Sequence, residues 1–241
     1  LSFARDYMIK NGFNYYIPPF IIRKNIVEGV MSFKEKDDMM YKIEGEDLYL
    51  IGTSEHSIIG KFINQKIPSS DIPVRITSYS PCFRKEVGAH GIEEKGLYRL
   101  HQFEKQEMIV ICEPSESYRW YDKMVKYTAD LFKALGIPVR ILEMCSGELA
   151  DLKAKYCDVE AWSPRQKKYF EVGSCSNLTD AQARRLNIRI DNKGKLYFAH
   201  TINNTVVASP RALIAILENY QQKDGSILIP KILQKYMHGK K

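Results

Sequence analysis

The sequence predicts an α+β fold, a mainly antiparallel β-sheet flanked by helices. Three observations carry that reading. Strand-like segments follow one another without regular helical crossovers, which disfavours a parallel sheet. Segments 115–136 and 209–221 carry apolar residues at helical spacing and supply helices to cover a sheet face. Neither GxxxxGK[ST] nor GxGxxG occurs, so the phosphate-binding turns of parallel α/β proteins are missing, as are HExxH and GxSxG.

Taken in order, LSFARDYMIKNG spaces Leu1, Phe3, Ala4, Tyr7 and Met8 as a helix, with Gly12 as its stop. FNYYIPPFII is aromatic and β-branched, but Pro18-Pro19 restrict it to an edge or interface strand with a break. DLYLIGTSEHSIIGKFI reads as a strand from Leu48 to Ile51, a turn at Gly52, and a helix capped by Thr53 or Ser54 with Glu55 near its positive end. IPVRITSYSPCFRKE and RLHQFEKQEMIVIC pair as a long antiparallel hairpin around a glycine-rich loop, Gly88 to Gly96. The 115–136 helix ends at Gly136-Ile137-Pro138. VRILEMCS, KYCDVEAWS and KYFEVGSCSN are further strands. TDAQARRLNIRI is a short helix running into a strand, and YFAHTIN is a strand. The 209–221 helix has Pro210 in its first turn and Arg211 beside it.

The 241 residues suit one large domain or two small ones, and 44% hydrophobic against 27% charged content is that of a globular protein. No apolar run approaches membrane-span length. A net charge of +7 permits a polyanionic partner without requiring one. The five cysteines form no CxxC pair and read as free thiols of a cytoplasmic protein. His90 and His101 have no metal-ligand spacing.

What remains is a set of polar side chains beside strands or at helix starts. Singly each has an ordinary explanation: Arg84 and Glu86 as a strand ion pair, Phe103 as core, Thr53 as a cap. Their order along the chain is what adds information. LSFARDYMIKNGFNYYIPPF, FRKE…RLHQFEKQE and TINNTVVASPRALIAILENYQ resemble motifs 1, 2 and 3 of the class II aminoacyl-tRNA synthetases. TSE and FEVGSCSN resemble the amino-acid and metal segments of the seryl-tRNA synthetases of archaeal and eukaryotic style. The resemblance covers Leu1 to Tyr236.

The resemblance implies the class II catalytic fold and a serine–tRNA ligase that activates L-serine with ATP and Mg2+ and transfers it to tRNA(Ser), with tRNA(Sec) a further candidate acceptor. It implies a homodimer through the motif 1 segment. It also implies one catalytic domain over 1–241, with the family's N-terminal tRNA-binding helical arm absent from this chain. Arg84 and Arg211 are the catalytic arginines it implies: Arg84 bridges the serine carboxylate and the α-phosphate, and Arg211 reaches the γ-phosphate and covers adenine. A planar guanidinium suits both tasks. Serine falls to Thr53, Ser54, Glu55, Arg84, Glu107, Asn203 and Thr205, with Glu107 and Thr205 reading the hydroxyl and Thr53 and Glu55 holding the ammonium. ATP falls to Arg84, Lys85, Glu86, Arg99, Leu100, Phe103, Glu171, Val172, Gly173, Ser174 and Arg211, with Phe103 beneath adenine. Glu171 and Ser174 are the implied Mg2+ ligands, hard oxygen donors for a hard ion. A prolyl-type synthetase, or a ligase that loads an amino acid onto a carrier protein, is the alternative within the same class.

Overall fold

The computed structural model describes residues 1–87 and 96–240, without the side chains of residues 33–35. The predicted 88–96 loop, His90 included, lies outside the described residues except for Gly96. In chain order the elements are α1 (Ser2–Lys10), β1 (Asn14–Tyr16), β2 (Ile21–Arg23), α2 (Lys24–Val30), α3 (Phe33–Met39), β3 (Leu48–Leu50), α4 (Ser54–Gly60), β4 (Lys66–Pro68), β5 (Val74–Phe83), β6 (Gln102–Cys112), α5 (Ser117–Ala134), β7 (Val139–Glu143), β8 (Lys155–Ser163), β9 (Lys168–Thr179), α6 (Ala181–Leu186), β10 (Arg189–Asn192), β11 (Lys195–Phe198), β12 (His200–Ala208) and α7 (Ser209–Tyr220).

A seven-stranded sheet in the order β1-β5-β6-β12-β9-β8-β7 organises the domain. Only the β1–β5 pairing is parallel; the rest of this sheet is antiparallel, as the sequence predicts. β1 is an edge strand, and the chain leaves it at Pro18-Pro19 to pair β2 with β3 in a separate small sheet. A three-stranded sheet, β11-β10-β4, completes the set.

Strand β6 shows why two cores form. Met108, Val110 and Cys112 face one side and pack with Trp120, Tyr121, Met124, Leu131 and Phe132 of α5. Ile109 and Ile111 face the other and pack with Val27, Ile58, Ile59 and Leu186 from α2, α4 and α6. Side chains alternate along a strand, so a fully apolar run feeds both faces of a covered sheet. The same odd-numbered face continues toward the start of β6 as Phe103, Lys105 and Glu107, where core gives way to a pocket.

Two irregularities reset this alternation. The β8–β9 register shifts between Val159 and Glu160, so Glu171 pairs with Glu160 and Gly173 with Val159, leaving Val172 as the extra residue. The β12–β6 register shifts between Thr205 and Val207. A bulge of this kind turns the following side chains to the opposite face.

Two sequence readings are corrected. YFAHTIN is not one strand. The chain changes sheets at the buried Ala199, whose amide bonds the Ile188 carbonyl, so Tyr197 ends in the small sheet and Thr201 lies in the large one. Helices α2 and α3 had no counterpart in the sequence reading. Each is seven residues, too short for a helical period to stand out, and α2 is held by tertiary contact of Gly29 with Leu186.

Candidate active site

A cavity of about 340 Å3 opens where the starts of β6 and α4, the middle of β9 and the end of β12 meet. One end is acidic and enclosed. Glu107 is 2% exposed. Its Oε2 lies 2.5 Å from Lys105 Nζ and accepts a 3.5 Å hydrogen bond from Thr53 Oγ1. Thr53 also caps α4, its Oγ1 accepting from the Glu55 amide. Thr205 stands opposite Glu107 in the β12–β6 register, and Asn203 lines the same wall. Glu55 enters from the first turn of α4. Burial pushes its carboxyl up to about 7, the Glu107 charge adds to the rise, and a 2.7 Å hydrogen bond from Gln182 Nε2 opposes it.

The middle is formed by Arg84. Its Nε donates to the Gly52 carbonyl at 3.1 Å, and its guanidinium lies 5.4 Å from the Phe103 ring centre. The far end holds two ion pairs. Arg99 Nη1 meets Glu86 Oε2 at 2.8 Å, and Arg211 Nη1 meets Glu171 Oε2 at 2.7 Å. Arg211 also sits 4.6 Å over the Tyr98 ring. Gly173 lies between these ends; a Cβ there would come within 3.1 Å of the Thr205 carbonyl, so the close approach of β9 to β12 suits glycine.

Glu171, Ser174 and Asp158 bring hard oxygens together. Asp158 stands opposite Ser174 in the β8–β9 register, and its Oδ1 is buried without a hydrogen-bond partner. Burial and the Glu171 charge push Asp158 up to about 6. No cluster of three or more His, Cys, Asp or Glu side chains arranged for a metal occurs among the described residues.

The cavity gathers Thr53, Glu55, Arg84, Glu86, Arg99, Leu100, Phe103, Glu107, Glu171, Val172, Gly173, Ser174, Asn203, Thr205 and Arg211 from the sequence-based set. Ser54 and Lys85 do not line it. The Ser54 hydroxyl is buried against that of Ser78 at 2.6 Å, and Lys85 Nζ donates to the Asp37 carbonyl. Sequence reasoning missed Lys105, Tyr98, Asp158 and Gln182. Lys105 was within reach, because it lies two residues from both Phe103 and Glu107 and so shares their face.

Residues 38–220 match the family described as the tRNA synthetase class II core domain (G, H, P, S and T). The chain belongs to that family. It is 48% identical over 238 residues to a serine–tRNA ligase of Thermococcus sibiricus and 45% identical to one of Pyrococcus abyssi. Each match covers 98% of this chain and 52% of the relative. The fold superposes on a crystal structure of seryl-tRNA synthetase from Pyrococcus horikoshii complexed with ATP, with a TM-score of 0.97 and 46% identity over 99% of this chain and 54% of that one. A cytoplasmic serine–tRNA ligase from Naegleria fowleri in complex with AMP gives a TM-score of 0.95 at 38% identity, covering 100% of this chain and 57% of that one. The chain spans a little over half the length of these relatives. The class II catalytic fold is therefore the architecture of this domain. None of the described helices is long and apolar enough to cross a membrane.

Proposed function

We propose that this chain is the catalytic part of a serine–tRNA ligase, activating L-serine with ATP and passing the seryl group to tRNA(Ser). The observation that carries the reading is a single cavity with a buried carboxylate-and-hydroxyl end, Glu107, Thr53 and Thr205, joined through Arg84 to an arginine-and-aromatic end, Phe103 and Arg211. Similar chains include a seryl-tRNA synthetase complexed with ATP and a serine–tRNA ligase in complex with AMP, which supports a nucleotide at the second end.

The chemistry follows from charge. The serine carboxylate attacks the α-phosphate in line and pyrophosphate leaves, so negative charge builds on phosphate oxygens where fixed cations act best. Arg84, anchored through Nε on Gly52, has its two terminal nitrogens for the carboxylate and the α-phosphate. Phe103 and Arg211 take the two faces of adenine, with Arg211 leaving Glu171 to reach the γ-phosphate. Glu86, Arg99, Leu100 and the 171–174 backbone close the nucleotide end, while Asn203 lines the serine side. Glu171 and Ser174 would hold Mg2+ beside the phosphates, and the ion when bound offsets their charge. Glu107 and Thr205 read the serine hydroxyl, and Glu55 and Thr53 hold its ammonium. A site built to bond a hydroxyl rejects alanine and glycine because its own buried groups are then left unpaired.

Two copies associate through α1 and β1 in this reading. Ile9 of α1 and Ile17, just past β1, are 47% and 60% exposed, large apolar side chains that a second copy would cover. Residues 1–241 act as one catalytic domain of a cytoplasmic enzyme. ATP–pyrophosphate exchange measured with each amino acid in turn tests the reading: serine alone should support exchange. Exchange driven by proline, or by no amino acid, overturns it.

A further inference from the structure

Gln182 lies outside the cavity wall yet fixes a residue on it. Its side chain is fully buried on α6. The amide nitrogen donates to Glu55 Oε1 at 2.7 Å and to the Val30 carbonyl at 3.1 Å. The amide oxygen accepts from Thr201 Oγ1 at 2.7 Å. These partners leave one possible orientation. Val30 offers only an acceptor, so the nitrogen must face it, and the Thr201 hydroxyl is free to donate to the oxygen that results. A flipped amide would set its oxygen against both a carboxylate and a carbonyl. The end of α2, the first turn of α4 and the central strand β12 thus meet at one pinned amide, whose remaining N–H points at one oxygen of Glu55.

We propose that Gln182 is a positioning residue for the substrate ammonium: it fixes Glu55 Oε1 so that Glu55 presents its other oxygen to the amino group. This rests on the proposed role of Glu55 in binding serine. Glu55 needs such support. It is buried beside Glu107, a like charge that opposes its ionisation; besides the Gln182 amide, Lys105 on the facing strand and Lys153 in the 150–153 loop pull the other way. A fixed N–H donor favours the carboxylate without adding a cation that would repel the ammonium.

Gln182→Met keeps length while removing both donors, and Thr201→Val keeps Gln182 but releases its oxygen. In protein carrying 13C-labelled glutamate, the Glu55 carboxyl signal, identified by its loss in Glu55→Gln, should titrate at higher pH in Gln182→Met than in the parent, with a smaller shift in Thr201→Val. In pyrophosphate exchange, serine KM should rise about tenfold or more in Gln182→Met, the loss expected for a hydrogen bond to a charged group, while ATP KM stays within about twofold. A merely structural role would raise both KM values together and leave the titration where it is, and that result overturns the proposal. Normal serine KM in Gln182→Met alongside a damaged Glu55→Ala overturns it alone. A shifted titration in a protein that shows no serine-dependent exchange overturns the proposed function and takes the substrate role of Gln182 with it.

Discussion

The Lys105–Glu107 pair can be separated into its structural and its functional parts. Both side chains are buried, and the 2.5 Å contact joins an ammonium to a carboxylate that also receives the Thr53 hydroxyl. Glu107→Leu removes the anion and strands the Lys105 ammonium in a site with little water. Breaking one side of a buried pair costs about 3–5 kcal/mol. At about 2–4 °C per kcal/mol for a chain of this size, the melting temperature should fall by roughly 6–20 °C. Adding Lys105→Met removes the stranded charge. Apolar replacement of a whole buried pair is often neutral or stabilising by about 1–4 kcal/mol, so the double variant should melt near or above the parent. Serine-dependent exchange should be lost in both variants, because neither has the carboxylate that reads the hydroxyl. Calorimetric melts of parent, single and double variants, followed by exchange assays, complete the cycle. The reasoning fails if Glu107→Leu melts within about 2 °C of the parent, if the double variant is no more stable than the single, or if the double variant still selects serine over alanine.

Arg211→Lys keeps the charge facing Glu171 but loses the planar face proposed to cover adenine, so ATP KM in the exchange assay should rise about two- to thirtyfold with serine KM little changed. Glu55 has its folded carboxyl at about 7, above the ordinary 4.5, so the folded state binds its proton more tightly than the unfolded chain. The contribution of that group is most favourable below about 4.5 and is lost as pH rises through about 7; Glu55→Gln should therefore gain melting temperature relative to the parent between pH 5 and pH 8. Serine use needs the ionised carboxylate, so kcat/KM for serine in the parent should fall as pH drops below about 7. Gly136 has φ of +74°, and a Cβ there would lie 2.3 Å from the Tyr220 hydroxyl, which already donates to the Leu135 carbonyl. Gly136→Ala should cost about 1–3 kcal/mol in denaturant unfolding with exchange activity unaffected at low temperature.

Strand β6 was readable because its purely apolar end and its position after a glycine-rich loop agree, and α5 because Trp120, Met124, Leu131 and Phe132 repeat at helical spacing along 18 residues. Beyond the β5–β6 hairpin, which the sequence predicts, the pairing of strands was not readable. Asp158 faces Ser174 only through the β8–β9 register, which depends on neighbours far away in sequence. Strict alternation along β9 would also have set Glu171 and Ser174 on opposite faces, three residues apart. Val172 reverses that: it and Cys175 go to the α5 core, while Glu171, Ser174 and Ser176 line the cavity. Resemblance to a family supplied what local spacing denied. Gln182 escaped both routes, since a glutamine in a short helix carries no pattern that says which strand it will meet.

The extra residue at Val172 is an insertion that the ladder has already absorbed. Glu171 stays opposite Glu160 and Gly173 opposite Val159, so each face keeps its contents on both sides of it. Excising Val172 would leave those pairings in place; it would take a buried side chain from beneath α5 and relax the local twist where Glu171 and Ser174 approach the cavity. A residue lost or gained further along β9 has no such slack, because a slip of one turns the side chains beyond it to the opposite face. Length is therefore negotiable at one point of this strand and fixed on either side of it.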